Sequence, residues 1–203
     1  MRILNYLEDL KIEYKSRTCF TDNQVCLLGP DKEKPLVAEH TIFPPMSDEL
    51  IQHLRDSYKR TIPSELIDFY RTANGIDLFL VRRKLSGLDI LIPCRQLSVY
   101  GIPLTFSRDR LEPYNISIED LSRLPGTPEN WLKFGSFCQI TDGNVQGEYD
   151  LFVDVDSNGT YLCPRTEEKM WVVRNWDSID ECLCDLFMLL HERHTKTGDG
   201  SVS

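Results

Sequence analysis

The stretch IPSELIDFYRTANGIDLFLV, residues Ile62–Val81, holds the transition on which the fold turns. Ile62-Pro63-Ser64-Glu65 opens a helix, and Leu66, Phe69, Tyr70 and Ala73 recur at helical spacing along one stripe. Asn74-Gly75 stops it, because glycine accepts the left-handed conformation that ends many helices. From Asp77 the period changes, and DLFLV is a short apolar run of β character. A helix that closes on Asn-Gly and yields at once to a strand predicts helices and strands segregated along one chain.

Toward the C-terminus, LDILIPC forms a second β-like run, separated from DLFLV by Arg82-Arg83-Lys84 and Gly87, so the two are expected to lie side by side. Ser117 to Leu124 can make a short helix that Pro125-Gly126-Thr127-Pro128 would end. Aromatic and β-branched runs at Trp131–Phe137, Tyr149–Val155, Thr160–Cys163 and Met170–Val173 read as a meander of strands. Ser178-Ile179-Asp180-Glu181 is a capping box, and Ile179, Cys182, Leu183, Leu186, Phe187 and Leu190 then form the core stripe of a closing helix.

Toward the N-terminus, Ser47 caps a helix with Asp48 and Glu49 in its first turn and Leu50, Ile51, Leu54 and Tyr58 along it. Before it, CFTDNQVCLLGPDKEKPLVAEH mixes short apolar pieces with Gly29-Pro30 and Pro35, as one or two short strands or an ordered loop would. Ile3, Leu4, Leu7, Leu10 and Tyr14 give the start of the chain an amphipathic helix. The expected architecture is α+β: a single domain over residues 1–195, with an antiparallel-rich mixed sheet and helices packed mainly on one face. Residues 1–44 form a helical extension, and residues 196–203 a polar, flexible tail.

At 203 residues and 41% hydrophobic content the chain can bury one sizeable core. A formal charge of -9 opposes attraction to phosphate backbones or anionic lipid, which excludes nucleic acid and membrane surfaces as expected partners and favours a basic protein. The seven cysteines are odd in number and form no C-x-x-C pair, against a zinc ribbon or a complete disulfide framework. MRILNYLEDLKIEYK has no apolar signal region, and no apolar run is long enough to span a bilayer, so a cytoplasmic setting is expected.

Two motifs invite a metal. Asp154-Val155-Asp156-Ser157-Asn158-Gly159 matches the first six positions of a calcium-binding EF-hand loop. Position twelve, where a bidentate Glu is needed, is Arg165 behind Pro164, and the flanks LFV and TYLC are strand-like. Asn-Gly is the strongest hairpin signal, so this stretch reads as a β-turn. His191 and His194 stand three apart near a helix end with no supporting ligand at matching spacing, where the dipole favours them anyway. No metal, no cofactor and no catalytic residue is expected, since no motif nominates a nucleophile or base. Cys182 reads as core and Cys184 as incidental.

One charge pattern does point to function. Between Lys133 and Arg165 there is no lysine or arginine, while Asp142, Glu148, Asp150, Asp154 and Asp156 fall there. These five acids are the expected contact residues of a docking face for a basic partner.

The order of features resembles the SUKH superfamily, the Smi/Knr-like proteins. IPSELIDFYRTANGI is similar to its Pro-helix-Asn-Gly-strand signature, and LSVYGIPL, WLKFGSF, GEYDLFVDVDSNGTYLC and WVVRNWDSIDECLCDLFMLL are similar to its later strands and closing helix. The resemblance spans roughly residues 45–192. It implies a non-enzymatic immunity protein that binds and neutralises a polymorphic toxin, often a basic nuclease. Other members of the superfamily act as regulatory scaffolds in viruses and eukaryotes, and that reading stays open at this point.

Overall fold

The computed structural model describes residues 1–30, 38–58, 61–84, 91–105, 125, 130–141, 144–165 and 171–197. Among these, four helices form: α1 (Arg2–Glu13), α2 (Asp48–Ser57), α3 (Ser64–Tyr70) and α4 (Ile179–Thr197). They accompany nine strands: β1 (Thr18–Phe20), β2 (Cys26–Pro30), β3 (Ala38–Ile42), β4 (Ile76–Lys84), β5 (Leu91–Thr105), β6 (Trp131–Thr141), β7 (Asn144–Asp154), β8 (Thr160–Pro164) and β9 (Arg174–Trp176). All nine join one open sheet in chain order, and every described ladder is antiparallel. The chain is an α+β single domain.

The pivotal stretch folds as its pattern dictates. Leu66, Phe69, Tyr70 and Ala73 are all buried, and the backbone N–H groups of Arg71 and Ala73 close the last turn of α3 onto Ile67 and Phe69. Gly75, at φ +110°, makes the left-handed step into β4, and a Cβ there would meet the Val99 carbonyl oxygen at 2.9 Å. The loop before α2 is tied to this corner, with Asn74 N–H donating to Pro44 O and Met46 N–H to Tyr70 O. At the start of α2, Ser47 Oγ accepts the N–H of Leu50 at 3.3 Å.

β4 and β5 pair as expected, from Ile76 opposite Val99 to Lys84 opposite Leu91. β6 bulges beside Gly135, where the Ser98 carbonyl comes too close for any side chain. The main core fills the space between one sheet face and the four helices. A smaller cluster of Trp131, Phe152, Tyr161 and Cys163 sits apart from it on β6, β7 and β8. Along β7, Leu151 and Val153 enter the main core, whereas Phe152 enters the smaller one, the alternation of a strand covered on both faces.

Three expectations need correction. Residues 1–44 are more than a helical extension: after α1, the stretch expected to hold one or two short strands or an ordered loop contributes to three strands, β1, β2 and β3, one flank of the sheet. The last described strand is β9 at Arg174–Trp176, not Met170–Val173, where Trp171 and Val173 are each 49% exposed and only Val172 packs inward, against the smaller cluster. Cys184, expected to be incidental, is buried beside α1 and lies 3.7 Å from an Asp180 oxygen. The helix expected over 117–124 and residues 198–203 of the tail lie outside the described residues.

The terminal helices pack together and are joined through caps. Asp180, in the first turn of α4, accepts the Ile3 N–H at 3.0 Å and pairs with Arg2 at 3.2 Å. Burial opposes the charge on Asp180, but the backbone donors at the start of α1 and the Arg2 side chain outweigh it and lower its pKa. Farther along, the rings of Tyr6 and Phe187 stack at 5.3 Å, and Glu13 meets His191 at 3.3 Å. α1 and α4 therefore run side by side in the same direction.

Candidate functional site

The five acids expected to form a docking face do not share one exposed surface. Asp150 is 1% exposed, with Oδ2 at 2.7 Å from Lys133 Nζ and Oδ1 held by Arg165 Nη2 at 2.7 Å and Nε at 3.0 Å. Its charge is neutralised inside the protein by cations that lie just outside the base-free segment. Glu148 is half-buried, 3.8 Å from Arg165 Nη1. Asp156 is exposed and hydrogen-bonded to the Asn130 side chain. Asp142 lies outside the described residues.

Asp154 is 3% exposed and shapes the corner between β7 and β8. Its Oδ1 accepts the Asp156 N–H at 3.0 Å and its Oδ2 the Ser157 hydroxyl at 2.9 Å. Asn158 takes φ +61°, and its N–H returns to Asp154 O at 2.8 Å. DVDSNG is thus a hairpin corner whose first carboxylate is occupied by its own turn. Among the described residues no three His, Cys, Asp or Glu side chains group to hold a metal.

The two histidines of α4 have separate partners. His191 faces Glu13, whereas His194 Nε2 donates to Gln96 Oε1 at 3.0 Å. His194 belongs to an internal polar cluster that sequence reading missed, centred on His40 of β3. His40 Nδ1 accepts the Phe79 N–H at 3.2 Å, which places the ring proton on Nε2. Burial, then the charges of His194, Arg95 and His191, push the His40 pKa down to about 3, so the ring is neutral in the folded protein. Phe79 reaches this position with φ +56°, strained for an aromatic residue.

Negative charge gathers on the helices instead of the sheet. By sequence the four helices carry twelve acids against five bases, a formal -7 of the chain's -9. Ile12, Leu50, Met188 and Leu189 stand exposed on the same helices. Between α1, α4 and β9 lies an open groove of about 480 Å³, with Arg2 and Tyr6 on one wall, Arg174 and Trp176 on the strand, and Glu181, Asp185 and Met188 on α4. Asp185 binds both Arg174 Nη2 at 2.8 Å and Trp176 Nε1 at 3.2 Å, fixing the strand against the helix.

Compared with models of protein families, with curated proteins and with solved structures, the chain matches none. Among the described residues no helix is long and apolar enough to cross a membrane.

Proposed function

We propose that this chain is a non-enzymatic binding protein of the immunity type, which neutralises a basic, nuclease-type toxin domain by covering it. The observation that supports this reading is the helical layer, where twelve acids, of which Glu65, Asp180 and Asp185 are engaged within the fold, stand against five bases and accompany exposed Ile12, Leu50, Met188 and Leu189. Acids draw a phosphate-binding domain in by long-range attraction, and apolar side chains hold it once water is excluded. The order of motifs resembling the SUKH superfamily points the same way. The contact surface moves from the sheet acids to the helices, because Asp150 and Asp154 are already bound within the fold.

Co-expression with the toxic product of a neighbouring gene tests the reading. The expected result is restored growth and a one-to-one complex whose association slows as salt rises. A toxin neither bound nor neutralised overturns it.

A further inference from the structure

β9 is three residues long and pairs with β8; among the described residues no strand lies on its other side. An edge strand presents unpaired backbone N–H and C=O groups, a template for one more strand. All three residues of β9 line the groove bounded by α1 and α4.

The groove's cations are held in ion pairs, whereas two of its acids are in none among the described residues. Arg174 is held by Asp185 and lies 5.2 Å over the Trp176 ring, while Arg2 is held by Asp180. Asp177 and Glu181 form no ion pair among the described residues; Glu181 accepts the Asp177 N–H with one oxygen. Trp171 and Val173, about half exposed, lead into the strand, and Met188 is exposed on the opposite wall. Around this edge apolar side chains lie among polar ones, and the groove lining carries a surplus of negative charge, with Arg2 and Arg174 against Asp177, Glu181 and Asp185. Lysine and arginine match both properties, since their stems pack on apolar surface while their heads reach acids.

We propose that β9 seats an extended, basic segment of the partner, which joins the sheet as a tenth strand with its cations toward Asp177 and Glu181. This rests on the binding-protein reading and names where and how the partner engages. A second copy of the chain is disfavoured at this edge, because two-fold pairing would bring two Asp177–Glu181 pairs together.

Displaying random nine-residue peptides against the full protein tests the proposal. Selected peptides should alternate lysine or arginine with apolar residues and should slow exchange at those amides of Arg174–Trp176 that point away from β8. The double variant Asp177→Lys/Glu181→Lys should weaken them about tenfold or more while the Trp fluorescence of the folded state is kept. The exchange measurement does not depend on that variant folding. Selection of non-basic peptides, protection confined to other strands, indifference to charge reversal, or a peptide-free dimer protected at these amides each overturns the proposal. If a neutralised toxin binds the double variant as tightly as the natural chain, the edge seat falls and the immunity reading stands. If peptides behave as expected and no toxin is neutralised, the edge seat stands and the immunity reading falls.

Discussion

Glu65, in the first turn of α3, accepts the backbone N–H of Ile179 at 2.9 Å and that of Asp180 at 3.4 Å, and so caps α4 from 114 residues away. Asp180 in turn receives the Ile3 N–H and caps α1. Three helices are joined end to end through two carboxylates, each complementing the positive end of a neighbour's dipole.

Removing the first carboxylate should loosen the second cap as well. Glu65→Ala is expected to cost about 0.5–2 kcal/mol in urea unfolding, the range for loss of an N-cap. Glu65→Gln should cost less, because an acceptor oxygen remains. Faster amide exchange should appear in the first turns of both α4 and α1; a change confined to α3 would contradict the relay.

Buried His40 sets an acid limit on stability. Its folded pKa, about 3, lies below the ordinary value of 6.5, so between these pH values the unfolded chain binds a proton that the folded chain refuses. Stability should therefore fall as pH drops from 6.5 toward 3, by up to about 1.4 kcal/mol per pH unit. His194, also lowered chiefly by burial, acts in the same sense. The lowered pKa of Asp180 adds a further loss below its ordinary range near 4, as that carboxylate is protonated. His40→Asn, which keeps an acceptor near the Phe79 N–H, should flatten the slope between pH 6.5 and 4; an unchanged slope would remove His40 as its source.

Gly135 is required by a close approach. Gly135→Ala would drive a methyl group into the Ser98 carbonyl at the β6 bulge, and a backbone atom cannot swing away. The expected cost is about 1–3 kcal/mol or more, seen as a lower urea midpoint. An unchanged midpoint would show that the two strands can part without loss.

The DVDSNG corner should ignore calcium. Titration calorimetry is expected to show no saturable heat with calcium at micromolar concentration. Asp154→Ala should nevertheless destabilise the protein by about 1–3 kcal/mol, since the Asp156 N–H and the Ser157 hydroxyl lose their acceptor. Micromolar calcium binding abolished by Asp154→Ala would reverse the assignment.

Much of the fold was legible because its local signals are strong. The α3 stripe, the stop at Gly75, the Ser47 cap and the core stripe of α4 depend on near neighbours in sequence. Even the capping box shows where such reasoning stops. Ser178 Oγ accepts the Glu181 N–H as expected, but Glu181 returns to the N–H of Asp177, one residue earlier than the pattern implies. β1 to β3 were obscured because their short apolar pieces lie among Gly29, Pro30 and Pro35, and only pairing with each other and with β4 makes them strands. Trp171 and Val173 look like a strand by composition, yet β8 pairs with the more polar Arg174–Trp176.

The candidate site was less legible, for a physical reason. A stretch without bases is acidic on paper, but Asp150 meets Lys133 and Arg165 across the sheet, one from each neighbouring segment. Asp154 spends its charge on its own turn. Strand alternation places both carboxylates on the face of the Phe152 cluster, and which cations reach them is decided by register.

The meander and the parallel pair of end helices together impose an order on synthesis. Each strand finds its partner in the segment just made, so the sheet can assemble while the chain is still emerging from the ribosome. α1 is made before the strands of the sheet, yet Asp180 and Phe187, which cap and stack against it, follow all nine described strands. Until α4 arrives, the nascent molecule has an uncovered sheet face and an unanchored opening helix, which makes this interval the one in which chaperones and proteases have most to grip.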